Sequence, residues 1–230
     1  VAEQGTAGGG VGIPDPLAQF LGRVVAWSIA QPADSFVNIH AFTPKDNPRT
    51  EYRRRGGGRA YASLAEIGDL AAFVARCNND LDEVFFCLST RSAHAGEGHG
   101  YRKATRNPEA SKPVLLVAFV LDLDIKAKGY PSQKAALAAV LPWLARLGIR
   151  HGPIVSTGVG LHVYIVLDQP IGPEQWRPLA ARLADAALQA GIKNDTVVTK
   201  DDDRILRLPG SMNRKNYSQP SPCRVLTMGE

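Results

Sequence analysis

The chain has 230 residues, enough for one sizeable core or for a domain with a smaller attached lobe. With 44% hydrophobic and 21% charged residues, and no apolar run near the ~20 residues needed to cross a bilayer, the composition is that of a soluble globular protein and excludes a membrane-spanning one. The net charge of +5 suits a polyanionic partner, and the basic residues cluster at Arg53, Arg54, Arg55 and Arg59, at Arg102, Lys103 and Arg106, and at Arg204, Arg207, Arg214 and Lys215.

The opening "VAEQGTAGGGVGIPDP" is Gly-rich and aperiodic, so residues 1–15 are expected to be disordered, with order beginning near Pro16. No signal peptide is evident, and a start without methionine is expected of a trimmed chain. "LAQFLGRVVAWSIA" has helical apolar spacing and "SFVNIHAFT" is rich in strand formers. "PKDNPRTEYRRRGGGRA" then predicts a basic loop made flexible by Gly56, Gly57 and Gly58. Leu64 to Cys77 predicts one amphipathic helix with Leu64, Ile67, Leu70, Ala71 and Val74 on its inner stripe, followed by the strand "EVFFCLS". Thr90 to Lys112 is polar and aperiodic, and a loop that long in a compact domain is usually functional or mobile.

"PVLLVAFVLDLDI" predicts a long strand buried on both faces. "SQKAALAAVLPWLARLG" predicts a helix kinked or broken at Pro142. "PIVSTGVGLHVYIVLD" predicts two short strands around a Gly-rich turn, and "PEQWRPLAARLADAALQAG" a helix with Trp176, Leu179, Leu183 and Ala187 inward. The segment "DTVVTKDDDRILRLPGSMN" predicts strand-like material. Cys77, Cys87 and Cys223 are an odd count with no CxxC pair, so neither a disulfide framework nor a cysteine-rich zinc site is indicated, and a reducing, cytoplasmic setting is the simplest reading. Cys87, His94 and His99 lack an obvious fourth ligand for zinc.

The chemistry concentrates in three stretches. Asp122 and Asp124 stand two apart on a strand, so both carboxylates project to one face, roughly 6.5 Å apart from a rise of ~3.3 Å per residue. Two such charges repel and lose hydration, and a divalent cation removes both problems. Hard oxygen ligands favour Mg²⁺ or Mn²⁺. Taken alone, the pair also fits a solvent-exposed strand end in which each acid meets a lysine. In "STGVGLHVY", Gly158 and Gly160 permit a tight turn with amide N–H groups open to an anion, Ser156 and Thr157 add hydroxyl donors, and His162 enters the next strand. A hairpin with a satisfied core histidine has the same pattern. No Gly-Lys-Ser/Thr follows, so it is not a P-loop. In the third stretch, Asp195 precedes the run Asp201, Asp202 and Asp203 and the bases Lys200, Arg204, Arg207, Arg214 and Lys215. Arginine forks and lysines suit phosphates.

In this order, "LDLD", "STGVGLH" and a late acid leading into "RILRLPGSMNRK" resemble the archaeo-eukaryotic primase superfamily, particularly the primase-polymerases of phages and plasmids. That family's pattern is an hhhDhD strand, a Ser-x-His element and a final acid ahead of a strand ending in a Pro-containing turn. The likeness covers about Leu115 to Lys215. It implies an α+β fold: an RRM-like, antiparallel-rich sheet core over residues 113–230 with flanking helices, and an N-terminal αβ unit over 16–112 forming the other wall of a cleft. It implies template-dependent DNA primase or polymerase activity by two-metal nucleotidyl transfer from dNTPs or NTPs to a 3′-hydroxyl, with release of pyrophosphate.

Carried onto this chain, Asp122 and Asp124 are the first two metal-binding acids, and Asp195 is the third, with Asp202 or Asp203 as runner-up. His162, with Ser156, Thr157, Gly158 and Gly160, would cradle the nucleotide's phosphates, joined by Lys200, Arg204 and Arg207. A single-stranded DNA template would meet Arg53, Arg54, Arg55, Arg102, Lys103, Arg214 and Lys215, with Tyr52, Tyr61 or Tyr101 stacking on bases. A replicative helicase, fused or in trans, is the implied partner. Val159 stands where many members carry a basic residue, so that charge must come from elsewhere. Two other readings compete: a metal-dependent nuclease, and a non-catalytic nucleic-acid-binding replication-initiation module.

Overall fold

The computed structural model describes residues 16–25, 35–44, 57–98, 100–105, 107–126, 128–216 and 218–229. Helix α1 (Pro16–Val24) turns Phe20, Leu21 and Val24 inward, and the Phe20 ring meets Phe86 edge-on at 5.5 Å and Tyr164 at 5.6 Å. Those two rings belong to different sheets, so one helical side chain joins them through apolar contact.

The first sheet is built from β1 (Val37–Phe42), β2 (Gly57–Tyr61), β3 (Glu83–Cys87) and the short hairpin β4 (Glu97–Gly98) and β5 (Tyr101–Lys103). The basic segment therefore becomes a strand at Gly57, where a flexible loop was expected. The helix expected over 64–77 divides at Asp69 into a 3₁₀ segment (Leu64–Asp69) and α2 (Leu70–Asn79). Gly68, a poor helix former, stands at the change. Ile67, Leu70 and Val74 are buried as expected, Phe73 and Cys77 join them, and Ala71 is exposed.

The second sheet carries β6 (Leu116–Leu123), β7 (Ile154–Ser156), β8 (Leu161–Ile171) and β12 (Arg224–Thr227) in the order β12-β7-β8-β6. Every ladder of both sheets is antiparallel, so the architecture is α+β as expected. Helix α3 (Gln133–Arg146), capped by Ser132, runs unbroken through Pro142. Helix α4 (Pro173–Gln189) stacks Trp176 on Phe119 at 5.2 Å and donates from its indole N–H to the Ala118 carbonyl. Leu183 and Ala187 are buried as expected, whereas Leu179 is exposed.

Two departures at the C-terminal end place the site. The order β6-α3-β7-β8-α4 follows a β-α-β-β-α-β unit, whose last strand would pair beside β6. Here a short helix, α5 (Thr196–Lys200), occupies that edge. The Asp195 N–H donates to Asp122 O at 2.9 Å, the Thr199 hydroxyl to Val120 O at 3.0 Å, and β12 pairs instead with β7 on the far side. The expected strand at "TVV" is helical because Asp195 accepts from the Val197 and Val198 N–H groups, and capping outweighs the β preference of the valines. Next, β9 (Ile205–Arg207) crosses over to complete the first sheet beside β3, giving β4-β5-β2-β1-β3-β9. The boundary expected at 112/113 thus does not coincide with the division between the sheets. A small ladder of β10 (Met212–Asn213) and β11 (Ser221–Pro222) closes the C-terminal part.

Candidate active site

Between the sheets the apolar interface gives way, at the C-terminal end of β6, to a polar cleft. Asp122, Asp124, Thr157, Gly160 and His162 line one wall, and Phe85, Arg204 and Arg207 the other, with Asn213 and Lys215 also present. The second wall comes from β3 and β9, so the late crossing strand brings the arginines opposite the acids.

Asp122 and His162 are cross-strand partners, with the imidazole Nε2 3.8 Å from a carboxylate oxygen. Burial first, then the charges of Asp124 and Asp195, raise the Asp122 carboxyl from 3.8 to about 6. Burial, reinforced by Arg207 and Arg204, lowers His162 to about 3, so at neutral pH it is an uncharged imidazole whose Nδ1 lies 3.4 Å from the Tyr164 hydroxyl. Asp124 forms an ion pair with Lys126, the lysine pairing that the lone DxD also allowed.

The Gly-rich turn is built for close approach. Gly158 has φ +89° and a Cβ there would meet Ser221, while a Cβ on Gly160 would come within 2.9 Å of the Leu123 carbonyl. The Gly160 N–H donates to the Thr157 hydroxyl at 3.0 Å, and Asn213 donates to the Thr157 carbonyl at 2.7 Å. Ser156 faces away, its hydroxyl accepting from Gln133 of α3 at 2.8 Å. Ser156 and Gly158 therefore shape the turn without lining the cleft.

The described fold aligns with the AEP domain of the cyanophage S-2L primase-polymerase over 92% of this chain and 88% of that one, with a TM-score of 0.55 and 14% identity. This chain has the fold of an AEP domain. The polymerase domain of Mycobacterium tuberculosis ligase D, solved in complex with DNA, aligns over 92% of this chain and 79% of that one at 18% identity and a TM-score of 0.49. No family model and no curated protein sequence matches the chain.

Within this AEP fold the remaining expected residues separate. The third-acid alternatives are engaged elsewhere: Asp202 pairs with Arg177 of α4 at 3.0 Å, and Asp203 pairs with the fully buried Arg91. Asp195 acts on Asp122 electrostatically while one of its oxygens caps α5. Lys200, at the end of α5, does not line the cleft. Arg207 is held by Glu83 at 2.6 Å, and Arg204 lies 3.9 Å from Asp201.

Of the expected nucleic-acid contacts, Arg214 is buried, donating to the Asn78 carbonyl, and Arg102 pairs with Glu66 at 2.8 Å and Glu97 at 3.6 Å. Lys103 and Lys215 are exposed. Tyr61 is buried with its hydroxyl on Asp69, which removes it as a stacking residue. Arg53, Arg54, Arg55, Tyr52, His99 and Arg106 lie outside the described residues. Cys87 meets His40 at 3.5 Å and the His94 ring meets Phe36 edge-on at 4.9 Å.

Among the described residues no three His, Cys, Asp or Glu side chains are already drawn together closely enough to hold a metal ion. The donor set nevertheless fits a hard divalent cation. Asp122, at the end of β6, and Asp124, just past it, both offer carboxylate oxygens to the cleft, and burial followed by the charges of Asp124 and Asp195 raises Asp122.

Proposed function

We propose that this chain is the catalytic domain of a template-dependent DNA primase or polymerase, transferring nucleotides from dNTPs or NTPs to a 3′-hydroxyl. The observation that carries the reading is the opposition of charge across one cleft. Asp122 at the end of β6 and Asp124 just after it share the cleft with Arg204, Arg207 and Lys215, on a fold shared with a primase-polymerase AEP domain.

Asp122 and Asp124 would hold Mg²⁺ or Mn²⁺, with Asp195 as the third acid. Such an ion, when bound, lowers the pKa of the attacking hydroxyl and balances charge on the triphosphate. Arg204 and Lys215 would neutralise the phosphates, and Arg207, braced by Glu83, would hold its fork in a preset orientation. His162, neutral and buried, would accept or donate one hydrogen bond without adding charge. The Thr157–Gly160 turn lets the backbone approach the substrate, and much of the rate gain would be orientation. The positive charge missing at Val159 would come from Arg204 and Lys215 across the cleft.

The test is extension of a labelled primer on a single-stranded DNA template with Mg²⁺ or Mn²⁺ and each nucleotide set, comparing wild type with Asp124→Ala and repeating without primer. Extension by wild type alone supports metal-dependent polymerisation, and unprimed products add priming. If neither protein extends while both bind single-stranded DNA equally, a replication-initiation module replaces the catalytic reading.

A further inference from the structure

The first sheet has a second face that its core does not use. Val37, Ile39, Ala41, Val84, Phe86 and Leu206 point into the hydrophobic core, so their alternate neighbours point away from it. Among them Asn38, His40 and Cys87 are buried, while two phenylalanines stand where a sheet face open to solvent is ordinarily polar. Phe42 and Phe85 are half-buried, and neither belongs to the core nor packs against it.

Their arrangement is a row. His40 is in register with Gly58 on one side and Phe85 on the other, and Phe85 with Arg207. His40 stacks on Phe42 at 5.9 Å, Phe42 meets Phe85 at 5.7 Å, and the Arg207 guanidinium lies over Phe85 at 4.9 Å. At about 4.8 Å between strands, the in-register line from Gly58 to Arg207 spans roughly 14 Å.

One end of the row opens into the cleft with the acids, where Phe85 and Arg207 form part of the wall. The other end opens into a recess lined by His40, Phe42, Tyr101 and Lys103, with no acid among the described residues of its lining. Glu83, the acid beside the row, is neutralised by Arg207. The half-buried Phe42 and Phe85 thus lie between the cleft with the acids and the recess that holds the exposed Lys103.

We infer that this outer face is the track of the single-stranded template, with bases stacked along Phe42 and Phe85 and phosphates met by Lys103. A four-stranded RRM sheet stacks two or three bases on its aromatics in the same manner. The inference rests on the proposed function for the strand's identity, but the surface itself stands on the first sheet. It also accounts for template recognition that does not require Arg102, paired with Glu66 and Glu97 at the surface, or the buried Arg214.

The experiment is fluorescence anisotropy of a labelled oligo-dT in EDTA, so that chemistry is absent, with wild type, Phe42→Leu, Phe85→Leu and Lys103→Ala. An abasic strand of equal length serves as the base-free probe. Leucine keeps apolar bulk and removes the π face. Each leucine variant should lose between about fivefold and a hundredfold in affinity for oligo-dT. On the abasic strand the variants and wild type should bind equally. Lys103→Ala should reduce the slope of log affinity against log salt by about 0.7.

Wild type binding abasic and base-bearing strands equally well overturns the track, and this arm needs no variant to fold. Full affinity in both leucine variants also overturns it, and primer extension by wild type would then leave nucleotidyl transfer standing. Loss of binding in the leucine variants, with no extension by wild type, supports the track and removes the catalytic reading.

Discussion

Replacing Asp122 with Asn should stabilise the metal-free protein near neutral pH. The Asp122 carboxyl rises from 3.8 to about 6, first through burial and then through the charges of Asp124 and Asp195. Between those values the folded protein holds a proton that the unfolded chain releases. Its contribution to stability is therefore complete below pH 3.8 and is lost as pH rises through about 6. At 1.36 kcal/mol for each tenfold in affinity for the proton, the whole rise amounts to about 3 kcal/mol. The side chain keeps 23% of its surface in solvent, and screening reduces this to about 2 kcal/mol. For a chain of this size the Asn variant should melt about 4–8 °C higher at pH 7.5 in EDTA. The two melting temperatures should converge as pH falls toward 4, where Asp122 is protonated. Millimolar Mn²⁺ should then raise the melting temperature of wild type more than that of the variant, because the ion binds the folded carboxylates. An Asn variant that melts at or below wild type at pH 7.5 would show that Asp122 does not ionise against its surroundings.

Two further substitutions separate structural from chemical roles. Asp195→Ala removes the α5 cap and should cost about 1 kcal/mol in urea unfolding, while Asp195→Asn keeps the cap to within a few tenths. If the carboxylate serves alongside Asp122 and Asp124, the Asn variant should nevertheless lose roughly 10–100-fold in primer extension, and full activity would remove Asp195 as the third acid. Asp203→Ala leaves the buried Arg91 guanidinium without its carboxylate and should cost about 3–5 kcal/mol. Asp202→Ala, which frees only the half-exposed Arg177, should cost no more than about 1 kcal/mol, and equal losses at the two positions would contradict this difference in burial.

The three neighbouring acids show why charge runs are hard to read from sequence. Asp201, Asp202 and Asp203 look alike along the chain, yet each meets an arginine from a different place: Arg204 nearby, Arg177 on α4, and Arg91 more than a hundred residues upstream. Long-range pairing, which no local pattern encodes, gives one of them a buried partner. The aromatic row was missed for a related reason. Phe42 and Phe85 are ordinary strand residues by propensity, and only the pairing of β1 with β3 aligns them. Their alternation with Ile39, Val84 and Phe86 was the available signal, since it placed aromatics on both faces of the strand.

Local chemistry in the sequence determined the long apolar β6 with Asp122 at its end, the tight Gly-rich turn and the entry of His162 into the following strand. Strand alternation and glycine's freedom act over a few residues, so these features are legible without a fold. Tertiary structure alone decided the rest. Capping by Asp195 turned a β-prone segment into a helix at the edge of β6, which brought the Asp195 backbone onto Asp122. The crossing of β9 to the first sheet set Arg204 and Arg207 against those acids and buried Arg214 behind them. Each of these outcomes depends on which backbone groups find partners across the chain, a competition settled only when both sheets have formed.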